Sequence, residues 1–175
     1  IIGDVQSGKT ATYSGLICKA ADAGYKVVIL LAGITENLRQ QTQERIDESI
    51  IGITYKKQGR TVLPPHRVGV GKDNKELRAT SFTSCVNDFV GNHDKIAMSL
   101  NSQKSLVVFV IKKNVSVLQK LHKWLKDQNL DPVKGYIDIP MLLVDDEADN
   151  ASVNTKKDET DPTKTNKLIR QICTL

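Results

Sequence analysis

The chain has 175 residues, 39% of them hydrophobic and 26% charged, which suffices for one globular domain with a real core and excludes a disordered or fibrous composition. No apolar run reaches membrane-spanning length and no signal peptide is visible, so no membrane partner is expected. The three cysteines, Cys18, Cys85 and Cys173, lie far apart without metal-ligand spacing, which predicts reduced thiols in a cytoplasmic protein.

In chain order, Ile1-Ile2 reads as only the end of a strand, so the chain is expected to be a piece of a longer protein. Residues 9–23 predict a helix, with Leu16, Ala20 and Ala23 at helical spacing and Gly24 as its C-terminal cap. Tyr25 to Ala32 is a continuous apolar run rich in β-branched residues, the pattern of a parallel strand buried on both faces. Thr35 is placed to cap a helix over 36–48. Residues 51–104 lack clear periodicity and contain Pro64-Pro65 and several glycines, so they read as an insertion or irregular region with short strands near Val68 and Phe82. Leu106 to Ile111 predicts a second buried strand, and 115–127 an amphipathic helix with Val117, Leu118, Leu121, Trp124 and Leu125 on one side. Ile139 to Val144 predicts a third strand, running straight into acids. Residues 151–167 read as a polar mobile loop, and Lys167 to Leu175 as the start of another helix. Strands alternating with helices predict an α/β fold: a three-layer RecA-like P-loop domain with a mainly parallel sheet.

Two motifs carry chemistry. Gly3-Asp4-Val5-Gln6-Ser7-Gly8-Lys9-Thr10 matches G-x-x-x-x-G-K-[ST] in full. Its glycines let backbone N–H groups curl around the phosphates of ATP, and the following helix adds its positive end. Lys9 supplies a point charge to the β/γ oxygens, and the Thr10 hydroxyl ligates Mg²⁺. The second motif is Asp145-Asp146-Glu147-Ala148-Asp149, after the apolar strand. Asp146 is expected to hold Mg²⁺ through water, and Glu147 to polarise the attacking water as general base. Asp145 offers a register one residue earlier. The Asp146-Glu147 register is preferred because it makes the tetrad Asp-Glu-Ala-Asp.

Charge is distributed unevenly. Residues 51–80 carry seven basic side chains against two acidic ones, which equals the net charge of +5 of the whole chain. Lys56, Lys57 and Arg60 lead that stretch, which suits a phosphate backbone such as DNA and equally suits a solvated loop. Lys112, Lys113 and Asn114 follow the second strand and open the next helix. They offer either a phosphate contact or a solvated turn capped by Asn114.

Together the two motifs resemble those of superfamily-two helicases, whose motif II is often Asp-Glu-Ala-Asp. Leu38 and Gln41, after the strand ending at Ala32, keep the Leu-x-x-Gln spacing with which that superfamily touches the nucleic-acid backbone, without its proline. The strings GDVQSGKT, AGYKVVILLAGITENLRQQTQERID and PMLLVDDEADNASVNT are similar to the bacterial and phage family called the Z-one domain, whose members are described as candidate endonucleases near restriction and DNA-repair functions. The resemblance spans Ile1 to about Thr155 and is weakest over 50–105. It implies a DNA-acting ATPase lobe that works with a second motor lobe of the same polypeptide. That lobe would bring the arginine finger, so the piece alone is expected to turn over very slowly, since such a finger contributes roughly 10³–10⁵ in rate. A nucleotide-gated switch acting on protein partners is the alternative, as is a nuclease whose site lies elsewhere. The one acid-x-lysine triplet, Asp73-Asn74-Lys75, has no acid in the twenty residues before it, so no nuclease site is expected here.

Overall fold

The computed structural model describes residues 9–74, 76–89, 98–149, 151–155 and 162–175. Helix α1 (Lys9–Asp22) leads through a short turn into strand β1 (Val27–Ala32). Helix α2 (Glu36–Ile46) follows and continues as a π-helical turn, Asp47–Ile51. Four two-residue strands come next: β2 (Ile53–Thr54), β3 (Lys57–Gln58), β4 (Thr61–Val62) and β5 (His66–Arg67). Then come the short helix α3 (Val70–Asp73), strand β6 (Ala79–Ser81), strand β7 (Leu106–Ile111), helix α4 (Val115–Asn129), strand β8 (Met141–Asp146) and helix α5 (Lys164–Cys173).

The central sheet has the order β6-β7-β1-β8 and is parallel at every pairing. Every residue of β1 and of β7 is buried. Their unbroken apolar sequences are what a strand covered on both faces requires. Alternate residues feed two cores. Val28, Leu30, Val108 and Val110 pack with Tyr13 and Ile17 of α1 and with Ile46 at the end of α2. Val27, Ile29, Leu31, Phe109 and Ile111 pack with Val117, Leu121 and Trp124 of α4 and with Leu168 and Ile172 of α5. Helices therefore cover both faces, giving a three-layer α/β arrangement of Rossmann-like type. Among the described residues no helix is long and apolar enough to cross a membrane.

The predicted apolar stripe of α4 is the face that is buried. Trp124, only 1% exposed, stacks at 5.1–5.8 Å from Phe82, Phe89 and Phe109. It is therefore a core residue, and such aromatic pairs contribute about 0.5–1.5 kcal/mol each beyond the area they bury. Thr35 caps α2 by accepting the Leu38 N–H, as expected.

Three differences from the sequence-based expectation have physical causes. Part of the expected insertion belongs to the main sheet. β6 pairs with β7, and the segment after it is tied down by polar bonds: Thr83 Oγ1 donates to Gln43 Oε1 at 2.7 Å and accepts the Val110 N–H at 2.8 Å. The short strands expected near Val68 and Phe82 are β5 and β6, each ending one residue before those positions; what the Ala-Thr-Ser edge strand does not announce, having no apolar periodicity, is its pairing with β7. Second, β8 starts at Met141, because Pro140 has no N–H for the ladder, and runs on through Asp145 and Asp146, opposite Leu31 and Ala32. Third, α5 begins at Lys164, inside the expected loop, because Thr163 caps it by accepting the Asn166 N–H.

Candidate functional site at the carboxyl edge of the sheet

In parallel α/β sheets the strand carboxyl ends converge on one edge, where the loops are free to carry chemistry. Here β1 is followed by Gly33 and β7 by Lys112-Lys113, and β8 ends in Asp145-Asp146 with Glu147 next. The α1–β1 turn is short, with the Gly24 N–H donating to Ala21 O and the Tyr25 N–H to Ala20 O, so α1 must run back antiparallel to β1. A 14-residue helix is about 21 Å long and a six-residue strand about 20 Å. The first turn of α1, starting at Lys9, thus lies at the same edge as the β8 acids. Gly3, Asp4, Val5, Gln6, Ser7 and Gly8 lie outside the described residues, as do the side chains of Lys9 and Thr10.

Strand alternation separates the two aspartates. Asp146 is in register with Leu142 and Val144, which face α1 and α2, whereas Asp145 is in register with Met141 and Leu143, which face α4 and α5. Asp146 therefore shares its face of the sheet with α1. Its Oδ1 accepts the Glu147 N–H at 3.1 Å. Glu147 has φ 56°, a left-handed conformation that a non-glycine residue adopts only when its surroundings hold it there.

The adjacent lysines divide in the same way. Lys113 is fully buried, and its Nζ donates to Asp145 Oδ1 at 2.9 Å, to Asp146 O at 2.8 Å and to Glu147 O. Its backbone N–H donates to Gly33 O at 2.8 Å. Lys112 pairs instead with Glu36 Oε2 at 2.9 Å, on the α2 side. Glu36 Oε1 also accepts from Arg39, from Nε at 2.8 Å and from the terminal nitrogen at 2.7 Å. Burial opposes ionisation of Glu36, but the bonds from Arg39 and Lys112 outweigh it and hold its carboxyl below the usual range. Arg39 is itself buried and donates to Ser84 O at 2.9 Å, fastening the segment after β6 to α2. Beside this cluster Asp88 is 4% exposed. One of its carboxylate oxygens accepts the Phe89 N–H and the other has no hydrogen-bond partner among the described residues. Burial pushes its carboxyl above the usual range, against the opposing bond from Phe89 and the nearby Arg39 charge.

The nucleic-acid candidates thus fall into three sets. Lys113 is corrected outright: a buried ammonium with three internal acceptors has no donor left for a phosphate. Lys112 is engaged with Glu36, and Asn114 caps α4 by accepting the Ser116 N–H at 2.9 Å. Gln41, Lys56, Lys57 and Arg60 are exposed, the last three on or beside the two-stranded ribbon β3–β4. Among the described residues no group of three or more His, Cys, Asp or Glu is placed to hold a metal ion by itself. Glu36, Arg39 and Asp88 belong to no motif in the sequence. The i,i+3 spacing of Glu36 and Arg39 is the local signal of their ion pair. No family model, curated protein or solved structure matches the chain.

Proposed function

We propose that this chain is a RecA-like lobe that binds and hydrolyses ATP with Mg²⁺ in a helicase-like, DNA-acting protein. The observation that carries the reading is the meeting, at one sheet edge, of the helix whose first residues are Lys9-Thr10 and the strand that ends at Asp146, with Glu147 next in the chain. The donor set fits the ligand. Asp146, on the α1 face, offers the hard oxygen that Mg²⁺ prefers, with the Thr10 hydroxyl as its expected companion. When bound, the ion neutralises charge on the phosphate oxygens. The first turn of α1 directs backbone N–H groups toward an anion, and Lys9 adds a full positive charge. Glu147 orients the attacking water and takes up its proton. One metal-bound carboxylate suffices for such a site, since Mg²⁺ keeps several waters and takes further oxygens from phosphates.

DNA is the proposed partner because the exposed Lys56, Lys57 and Arg60 concentrate positive charge away from the buried ion pairs. The testing experiment is the ATP turnover of the full-length protein with and without DNA. Stimulation by DNA is expected. A rate indifferent to DNA favours a nucleotide-gated switch on protein partners, and no turnover or nucleotide binding at all removes the reading.

A further inference from the structure

We propose that Lys113 is the positioning residue for Glu147: its ammonium locks the turn after β8 and so sets where the general-base carboxylate stands. The inference rests on the ATPase reading for the role of Glu147, and on geometry for the rest. An ammonium has three hydrogens, and Lys113 directs all of them into one turn, to Asp145 Oδ1, Asp146 O and Glu147 O. Two of the three acceptors are backbone carbonyls of consecutive residues, so the lysine restrains the chain path as well as balancing the Asp145 charge. The second carbonyl belongs to Glu147, whose φ of 56° needs such restraint. The Lys113 backbone N–H is bonded to Gly33 O, and a Cβ placed on Gly33 would stand 3.2 Å from Glu147 Oε2. The lysine, Gly33 and the glutamate therefore form one packed unit joining the ends of three strands. Because Lys113 is buried, it acts on the reaction through Glu147 and does not touch the nucleotide.

The test uses Lys113→Met, close in shape but uncharged, and the double variant Lys113→Met/Asp145→Asn, which leaves no unpaired buried charge and so keeps a folded protein for comparison. Backbone amide exchange of the 145–149 segment is measured without nucleotide, and nucleotide affinity and turnover are measured with Mg-ATP. Both variants are expected to exchange about tenfold faster in that segment only, since local opening reports local restraint. Nucleotide affinity should hold, and turnover should fall about 100-fold, the loss that follows an ångström-scale misplacement of a catalytic group. Adding Lys113→Met to Glu147→Gln should cost nothing further, because both act through one carboxylate. Unchanged exchange in both variants overturns the proposal, as does faster exchange with parental turnover. If Glu147→Gln itself keeps full turnover, the ATPase role of Glu147 fails, and exchange alone then decides whether Lys113 holds the turn.

Discussion

Replacing Gly33 by alanine tests the link between the end of β1 and the acidic turn. Gly33 has φ +57°, and an added Cβ would stand 2.8 Å from Leu38 Cδ1 and 3.2 Å from Glu147 Oε2. The left-handed conformation costs an L-residue about 1–2 kcal/mol, and turning Leu38 off its rotamer adds about 0.5–1.5 kcal/mol. Alanine's smaller unfolded-state entropy returns about 0.4–1 kcal/mol, so the net loss is about 2 kcal/mol. At about 2–4 °C per kcal/mol for a chain of this size, the melting temperature should fall by about 4–8 °C. Gly24→Ala is the matched control. It has φ +92° but, among the described residues, nothing within 4 Å of the added Cβ, so it incurs the backbone cost alone and should lose at most about half as much. Turnover separates the two more sharply. Moving the Glu147 carboxylate by a few tenths of an ångström should cost about 3–10-fold in Gly33→Ala, scaling down from the 100-fold cost of a full ångström. The Gly24 variant should turn over like the parent below its melting point. Calorimetric melting and steady-state ATP hydrolysis read both effects. Equal melting temperatures and equal turnover in the two variants would refute the packing of Gly33 against Glu147.

Lys9→Ala should weaken ATP binding by at least about tenfold, the equivalent of 1.4 kcal/mol, while the domain stays folded. Unchanged affinity by isothermal calorimetry removes the P-loop assignment. Glu147→Gln should keep ATP binding and lose turnover, and retained turnover together with loss in Asp146→Asn would move the base out of the Glu147 position. Reversing Lys56, Lys57 and Arg60 to glutamate should weaken DNA binding alike for all sequences. It should also flatten the log affinity–log salt slope by up to about 2.7 on duplex DNA, at 0.9 per phosphate contact. An unchanged anisotropy titration at several salt concentrations makes the ribbon a solvated loop. Asp88→Asn should change the pH dependence of stability. The folded carboxyl titrates above its unfolded value of about 3.9, so its contribution is fully present below that pH and is lost as pH rises through the higher folded value. The variant's melting temperature should accordingly gain on the parent's as pH rises from about 4 toward neutrality, and a constant difference would contradict the burial argument.

The elements read correctly from sequence are those in which one physical requirement dominates. Leu106 to Ile111 is apolar at every position because both faces are covered, and the α4 stripe is apolar at helical spacing because one face is. Thr35 and Asn114 announce helix starts because a side-chain oxygen beside an unpaired N–H is a local interaction. What sequence could not reveal depends on contacts far apart in the chain. Thr83 bonds Gln43 and Val110, and Arg39 reaches Ser84, so the segment after β6 is ordered by polar bonds of long range that leave no periodic trace.

The pair Lys112-Lys113 shows the same division within a candidate site. In sequence the two lysines are equivalent: adjacent, identical in charge, and placed where a phosphate contact is plausible. Their fates differ because the chain leaves β7 between the two faces of the sheet. One ammonium meets Glu36 on the α2 side and stays partly exposed; the other meets Asp145 on the α4 side and is sealed. The aspartates at the end of β8 divide likewise, so that Asp145 uses the buried lysine and Asp146 is left on the face of α1. A doublet at a strand end is thus two residues with two roles. The preference for the Asp146 register over the Asp145 register, made in the sequence on the tetrad alone, can now be put as a question of which face holds α1. That argument depends on strand alternation persisting to Asp146, and the parallel pairing of Asp146 with Ala32 supplies it.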